Sequence, residues 1–250
     1  YYKLSSKIGL NLTRNYSINF DLKKRNKKSI KFIIIHYTGM KNESDAIKRL
    51  CDSKSKVSSH YFIKNNGDLL NLVPDLYNAW HSGKSSWKKF ESLNRYSIGI
   101  EINNPGHEFK YKRYSFKQIS SLIKLLKVLK KKYKIKKQNI LGHSDISPNR
   151  KKDPGEKFPW KKLARKKLCK WHTLNENKIK IYRNLKSNTN DEKLFLNNLN
   201  KIGYSKKFST RYRITKINLV KAFQRRYRQS LINGKIDKEC LVISQNLLKN

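Results

Sequence analysis

One loop-forming stretch of the sequence contains three residue types that can perform hydrolytic chemistry together. Residues 142–155 hold His143, Lys151 and Asp153 among glycines and prolines that break regular structure. An imidazole and a carboxylate are both common zinc ligands, and a lysine can stabilise a developing negative charge. The composition of this stretch is typical of a metal site.

Two further polar residues stand beside or within apolar segments. His36 follows the apolar run 32–35, which places an imidazole at the end of a predicted buried strand. Glu101 lies inside the apolar segment 97–103, where an unpaired carboxylate is costly to bury. A carboxylate in that position therefore suggests a chemical role.

A single zinc ion accounts for all of these residues. His36, His143 and Asp153 supply three protein ligands and leave the fourth position for water, as catalytic zinc requires. Glu101 is then free to take a proton while the activated water attacks a carbonyl carbon. Lys151, two residues before Asp153 in an extended loop, points the same way and can stabilise the oxyanion. Taken alone, the loop has a plainer explanation, because such residues are usually structural or solvated.

Short segments in a fixed order strengthen the metal-site interpretation. Together they make residues 31–160 resemble the zinc-dependent N-acetylmuramoyl-L-alanine amidases of the amidase-2 type, which share their fold with a phage lysozyme and animal peptidoglycan-recognition proteins. The segments that carry the resemblance are 35–38, 57–67, 73–74, 79–83, 97–101, 142–155 and 158–160.

The resemblance implies a role for each candidate residue. In that family the histidine at the strand end, the histidine of Gly-His-Ser-Asp and the aspartate of Asp-Pro-Gly bind zinc, which corresponds to His36, His143 and Asp153. The strand glutamate acts as general base and the loop lysine stabilises the transition state, which corresponds to Glu101 and Lys151. The implied enzyme is a peptidoglycan hydrolase that cuts the amide between N-acetylmuramic acid and L-alanine of the stem peptide.

Two residues near the site are candidates for substrate contact. Tyr37 follows His36 directly, and His81 lies in a predicted loop after Trp80. His81 has an alternative role, which is to satisfy a backbone carbonyl. His60 alternates with aromatic residues before an Asn-Gly turn, and we interpret it as a buried structural histidine.

Two residues of the 142–155 loop are not assigned to catalysis. Asp145 is expected either to brace the loop or to orient His143 as a hydrogen-bond acceptor. Lys152 should face away from Lys151, and a register shift of one residue would exchange the two lysines.

The composition is that of a folded protein without a membrane span. The 250 residues are 37% hydrophobic, which is enough for one substantial core and a small second one. No apolar run approaches the roughly 20 residues that cross a bilayer. Cys51, Cys169 and Cys240 are far apart and form no C-x-x-C motif, so neither a thiolate zinc site nor a disulfide framework is indicated.

The net charge raises a rival function. The chain carries 59 Lys+Arg against 17 Asp+Glu, a formal charge of +42, and such surfaces attract nucleic acids. The basic residues are spread along the chain, however, and no recognised nucleic-acid motif accompanies them. An anionic wall polymer would be attracted by the same field, so charge alone does not choose between the two partners.

The pattern of the first 172 residues predicts an α/β domain with a mixed central sheet flanked by helices. Strands are expected at 31–36, 60–64, 69–73, 98–103 and 140–142, and a short helix at 44–51. Ser115 and Gln118 form a capping box that begins a long amphipathic helix.

Three segments make up the predicted domain organisation. Residues 1–172 form the catalytic domain, the polar residues 173–189 a linker, and residues 190–250 a three-helix unit. Gly203 is expected to end the first of these helices and Thr215 to begin the second. The unit resembles the helical peptidoglycan-binding domain that often follows such amidases, and a generic packing module is the alternative.

Other functions and locations stay open at this point. A catalytically inactive peptidoglycan-recognition protein is the first rival, and a basic nucleic-acid-binding protein is the second. The expected partner is peptidoglycan or a muropeptide, and the oligomeric state is not indicated. The sequence begins at Tyr1, so an export signal or lipid anchor can have been removed. We expect a periplasmic or extracellular location, with cytoplasmic muropeptide recycling as the alternative.

Overall fold

Isoleucine-rich runs form the middle of a mixed sheet in the computed structural model, which describes residues 12–205 and 215–249. In this part of the chain six strands pair in the order β1 (Leu12–Arg14), β5 (Leu69–Asn71), β4 (Tyr61–Ile63), β9 (Ser97–Ile102), β3 (Phe32–Tyr37) and β10 (Ile140–Gly142). Neighbouring strands are parallel except for β4 and β5. Two short antiparallel pairs lie outside this sheet, β2 (Phe20–Asp21) with β6 (Asn78–Ala79) and β7 (Ser86–Trp87) with β8 (Phe90–Glu91).

Helices cover both faces of the sheet. The predicted capping box is present at the start of the helix Phe116–Tyr133, because Ser115 Oγ accepts from the Gln118 backbone N–H and Gln118 Oε1 accepts from the Ser115 backbone N–H. The helices are α1 Glu43–Cys51, α2 Phe116–Tyr133, α3 His143–Ile146, α4 Trp160–Arg165, α5 Glu176–Ile179, α6 Thr189–Ile202, α7 Lys216–Tyr227 and α8 Lys238–Lys249. The predicted mixed sheet with flanking helices is confirmed.

The side chains of β3 alternate between two hydrophobic clusters. Ile33 and Ile35 pack in the cluster that contains α2, whereas Phe32 and Ile34 belong to the cluster on the other face. Since strand residues two apart share a face, His36 continues the second set. The sheet therefore presents His36 on the face opposite α2.

The C-terminal helices cover that opposite face. Phe195 of α6 and Phe223 of α7 are fully buried in the same cluster as Phe32 and Ile34 of the sheet. The predicted linker contains α5 followed by a short 3-10 helix, Lys180–Asn184. The boundaries at 172 and 190 stay a prediction, but the sheet and the helical unit share one continuous hydrophobic cluster.

Two local features differ from the sequence-based expectations. The stretch 142–155, expected to be a loop throughout, begins with the helical turn α3, because Asp145 Oδ2 accepts from the Gly142 backbone N–H at 2.8 Å. The two-residue strands were not predicted, since so short a segment shows no periodicity. None of the helices in residues 12–205 and 215–249 has the length and apolar composition of a membrane span.

Candidate metal centre

The candidate site lies where three parallel strands end. His36 is the penultimate residue of β3, and Glu101 is its register partner on β9. His143 follows the last residue of β10, which pairs with β3 on the other side. Ligand sites of α/β sheets commonly form at the carboxyl ends of their strands. The strand order therefore brings together residues that are far apart in the sequence.

The three predicted ligands meet in one small triangle. His36 Nδ1 lies 2.9 Å from His143 Nδ1 and 3.0 Å from Asp153 Oδ2, and His143 Nδ1 lies 3.1 Å from the same oxygen. All three residues are buried. Ligand atoms bound to a tetrahedral zinc at about 2.0–2.1 Å lie roughly 3.3 Å apart. The triangle is within a few tenths of an ångström of that separation, so the donor set fits such an ion.

Backbone and side-chain partners fix which nitrogen of each imidazole faces the triangle. His143 Nε2 lies 3.1 Å from the Ser82 carbonyl oxygen, which only accepts, so Nε2 carries the proton and Nδ1 offers its lone pair. On His36, Nε2 lies 3.0 Å from His81 Nδ1. The tautomer of His36 therefore depends on that of His81.

A chain of hydrogen bonds assigns the proton positions on His81. The Ser97 hydroxyl donates to the Leu93 carbonyl at 2.6 Å, so Ser97 Oγ accepts from His81 Nε2 at 3.2 Å. His81 Nδ1 is then the acceptor for His36 Nε2, which leaves His36 Nδ1 unprotonated towards the triangle. The structure places His81 behind His36, with both ring nitrogens bound to protein partners. A hydrogen bond from His36 to His81 was not among the roles predicted for His81, which were substrate contact and a bond to a backbone carbonyl.

Glycine at position 99 makes room for His81. A Cβ atom there would lie 2.4 Å from His81 Cγ, which is inside any allowed contact. A glycine within a strand marks a close approach by another group, and this is the sequence signal that could have located His81. His60 is fully buried, as predicted, and its Nδ1 accepts from the Gly99 backbone N–H at 3.0 Å.

The electrostatics favour metal-binding protonation states. Burial, reinforced by His143, lowers the pKa of His36 to about 4. Burial alone would raise the pKa of Asp153, but the charge and hydrogen bonds of His143 and His36 hold it below its usual value. A neutral imidazole and an ionised carboxylate are the forms that coordinate a cation.

Glu101 is the unusual carboxylate of the site. Burial raises its pKa to about 8, and the charge of Asp153 adds to the effect while Lys151 opposes it. Its Oε2 atom is buried and has no hydrogen-bond partner within the described part of the chain. A buried polar atom without a hydrogen-bond partner lowers the stability of the fold, and such atoms are found mainly at functional sites.

An open groove of about 380 Å³ leads to the triangle. Lys151 and Lys152 both line it; Lys151 is half-buried and Lys152 is exposed. The charge of Lys151 acts on both His36 and Glu101. The predicted proximity of Lys151 to the site is thus present in the structure, and Lys152 lines the same groove.

Tyr37 lies at the edge of this groove in a second hydrogen-bonded chain. Its hydroxyl is 2.8 Å from His107 Nδ1, and His107 Nε2 is 3.0 Å from Glu156 Oε2. Neither His107 nor Glu156 belongs to a sequence motif, so their place in this chain could not be predicted from the sequence.

Asp145 supports the metal-bearing loop from behind. Its Oδ2 accepts from the Gly142 N–H and from Arg226, and its Oδ1 accepts from the Tyr204 hydroxyl at 2.8 Å. The bracing role is the one that these contacts fit, because the acceptor for His143 is the Ser82 carbonyl. Arg226 could not be identified from the sequence as the partner of Asp145, because the two residues are distant along the chain.

A family model described as N-acetylmuramoyl-L-alanine amidase matches residues 26–156. This region contains His36, Glu101, His143 and Asp153.

Individual relatives extend the similarity beyond that region. The N-acetylmuramoyl-L-alanine amidase AmiD of Escherichia coli is 34% identical over 232 residues, which cover 88% of this chain and 83% of AmiD. The 1,6-anhydro-N-acetylmuramyl-L-alanine amidase AmpD of Haemophilus influenzae is 34% identical over 164 residues, covering 58% of this chain and 86% of AmpD.

Solved structures show the same architecture. The complex of Escherichia coli AmiD with anhydro-N-acetylmuramic acid-L-Ala-D-gamma-Glu-L-Lys superposes with a TM-score of 0.76 at 32% identity, covering 92% of this chain and 91% of AmiD. AmpDh3 from Pseudomonas aeruginosa in complex with an anhydromuramic pentapeptide gives a TM-score of 0.75 at 28% identity, covering 95% and 98%. Because the second superposition covers 95% of this chain, most residues of the C-terminal helices fall within it.

Proposed function

This chain belongs to the N-acetylmuramoyl-L-alanine amidase family, and from that premise we propose how its residues divide the work of hydrolysis. His36, His143 and Asp153 hold one zinc ion, Glu101 transfers protons, and Lys151 stabilises negative charge. The observation that carries the proposal is the triangle of two Nδ1 atoms and one carboxylate oxygen, whose members lie within 3.1 Å of one another.

Zinc at this triangle would supply Lewis acidity, which polarises the amide carbonyl and makes an attacking water more acidic. The chain contributes fixed donor atoms, because partners behind His36 and His143 hold both rings in the required tautomer. Histidine binds a metal ion as a neutral ligand, so the donor set would carry a single negative charge, that of Asp153. This charge balance leaves the centre cationic and suited to an attacking water.

Glu101 is the proposed general base and then general acid. Its unpartnered Oε2 accepts a proton from the water that attacks the lactyl carbonyl carbon. The same proton then passes to the nitrogen of L-alanine as the carbon–nitrogen bond breaks. The second proton of the water leaves as the lactyl carboxylic acid ionises and is taken up by the amine, so the products are a lactyl carboxylate and a peptide ammonium group. A pKa raised towards neutrality by burial suits a group that must both take and release a proton.

Lys151 is proposed to stabilise the carbonyl oxygen as it gains charge. It lines the groove beside the triangle and acts electrostatically on Glu101 and His36. The interaction between a preorganised cation and the carbonyl oxygen is stronger in the transition state, where the oxygen carries negative charge, than in the ground state. Tyr37, at the groove edge, is proposed as a substrate contact.

The substrate class follows from the relatives. Because AmiD and AmpDh3 were solved with anhydromuramyl peptides, we propose that an anhydromuramyl peptide enters this groove. Incubation of the purified protein with such a peptide, followed by mass analysis, should give anhydro-N-acetylmuramic acid and a peptide with a free L-alanine amine. Tight binding without cleavage would instead support an inactive recognition protein.

Two finer features belong to the same proposal, namely wall binding by the C-terminal helices and action in the periplasm or outside the cell. The exposed Lys193 and Lys201 lie on α6 and can contact an anionic polymer. Replacing both with glutamate should weaken retention on purified sacculi while leaving hydrolysis of a small muropeptide unchanged. Equal retention of both proteins across a salt series would contradict wall binding through this helix.

A further inference from the structure

We propose that Arg226, on the C-terminal helix α7, is a positioning residue for the metal ligand His143 and acts through Asp145. This inference rests on the proposed metal centre and adds a residue outside the region that the family model matches. Arg226 is only 1% exposed, so its charge is withdrawn from solvent.

One guanidinium holds the chain on both sides of His143. Arg226 Nη1 donates to Asp145 Oδ2 at 2.7 Å, two residues after the ligand. Its Nη2 donates to the Ile140 carbonyl at 2.9 Å, three residues before the ligand. The two contacts fix the start of β10 relative to the first turn of α3, and His143 lies between them.

Asp145 passes this restraint to the backbone next to His143. Besides Arg226, its Oδ2 accepts from the Gly142 N–H at 2.8 Å, which fixes the residue that precedes the ligand. Its Oδ1 accepts from the Tyr204 hydroxyl, which comes from the segment after α6. A single buried carboxylate thus joins the metal-bearing turn to two separate parts of the C-terminal unit.

The guanidinium itself has little freedom to move. Its Cζ atom lies 4.0 Å from the ring centroid of Trp160, the first residue of α4. A planar guanidinium stacked on an aromatic ring and paired with a carboxylate has a defined orientation. Helix α7 also reaches the same loop elsewhere, since Asn218 Nδ2 donates to Asn149 Oδ1 at 3.3 Å.

Loss of Arg226 should therefore loosen the metal centre without removing a ligand. Removal of a partner that orients a metal ligand typically weakens metal binding by about 10–100-fold. Lysine can keep the ion pair with Asp145 but cannot hold Asp145 and the Ile140 carbonyl together in one plane. Arg226→Lys should then restore part of the lost affinity.

Arg228 provides a matched control in the same unit. It is 3% exposed and forms a buried ion pair with Asp237. Arg226→Met and Arg228→Met each remove one buried guanidinium, but only the first lies against the metal-bearing loop. A difference between the two variants separates positioning of the ligand from general support of the fold.

The test measures zinc affinity by competition with a chromophoric chelator and the visible spectrum of the cobalt-substituted protein. Arg226→Met should bind zinc about 10–100-fold more weakly than wild type and show an altered cobalt spectrum. Arg228→Met should match wild type in both. Equal zinc affinities and equal spectra for the two variants would overturn the inference.

A milder pair of variants decides the matter if Arg226→Met does not fold. Tyr204→Phe removes one hydrogen bond to Asp145, whereas Tyr61→Phe removes a comparable buried bond to Asp75, away from the metal centre. Weaker zinc binding in Tyr204→Phe alone supports the inference, and equal binding in both overturns it. Failure of the wild-type protein to bind zinc would overturn the proposed metal centre and with it this inference.

Discussion

Gly99 and His81 meet at a point where only a glycine fits. A Cβ atom at position 99 would lie 2.4 Å from His81 Cγ. His81 accepts the hydrogen bond from His36 Nε2, which leaves His36 Nδ1 free to bind a metal. The missing side chain at Gly99 is therefore what allows His81 to orient His36. Gly99 thus affects the geometry of the site although it has no side chain.

Gly99→Ala should destabilise the protein by overpacking, at a cost of about 1–3 kcal/mol, and should also weaken zinc binding. The thermal midpoint and the zinc dissociation constant measure the two effects. In a His81→Ala background the same substitution should cost less, because the ring that it strikes is gone. Strict additivity of the two substitutions in a double-mutant cycle would contradict this contact.

Glu101→Gln should retain zinc but lose about a hundredfold or more in turnover, because a neutral amide cannot take a proton from water. Steady-state rates on a defined muropeptide and elemental analysis provide the two readings. Glu108→Gln is the control, since Glu108 lines the same groove but is exposed. Wild-type turnover in Glu101→Gln would show that another group is the base.

Asp75 links stability to acid pH. Burial alone would raise its pKa, but the charge and hydrogen bond of Lys132, with hydrogen bonds from Tyr133 and Tyr61, bring it below the ordinary value of 3.8. A carboxyl with a depressed pKa stabilises the fold above its ordinary pKa, and the contribution is lost as pH falls through the folded-state value.

At neutral pH the metal-free wild-type protein should therefore have a larger free energy of unfolding than the Asp75→Asn variant. This difference should shrink as pH falls below 3.8. Urea unfolding over a pH series measures it. Tyr133→Phe, which removes one donor to Asp75, should lie between the two proteins. A difference that is independent of pH would exclude this role of Asp75.

Deletion of the residues from 190 onward should not leave a well-folded catalytic domain. Phe32 and Ile34 of β3 would lose the cover of Phe195 and Phe223, and apolar surface would become exposed to water. A lower thermal midpoint and binding of a hydrophobic dye are expected. A truncated protein as stable as the full chain would contradict the shared cluster.

Elements that carry a local physical pattern could be predicted from the sequence. The isoleucine runs fixed the central strands, the Ser115 and Gln118 capping box fixed the start of α2, and Gly203 ended α6. Strand bounds differ by one or two residues, because hydrogen-bond pairing rather than composition decides where a strand ends.

Features that depend on pairing between distant residues could not be predicted from the sequence. The hydrogen bond between His81 and His36 and the ion pair between Arg226 and Asp145 join residues separated by many positions, and neither side chain carries a periodic signal. The linker was predicted from polarity alone, whereas packing of the helices against the sheet depends on which faces are left uncovered. Such contacts follow from the assembled fold.

The central claim, that one zinc ion at His36, His143 and Asp153 supports hydrolysis, is tested most directly by reconstitution. The protein is stripped with a chelator and zinc is added back while metal content and cleavage of an anhydromuramyl peptide are followed together. Activity should rise in proportion to zinc and level off at about one ion per chain. His143→Ala should neither bind zinc nor recover activity, and His107→Ala, altered at the groove edge, should retain zinc. Full activity in the metal-free protein, or zinc binding unchanged by His143→Ala, would contradict the account.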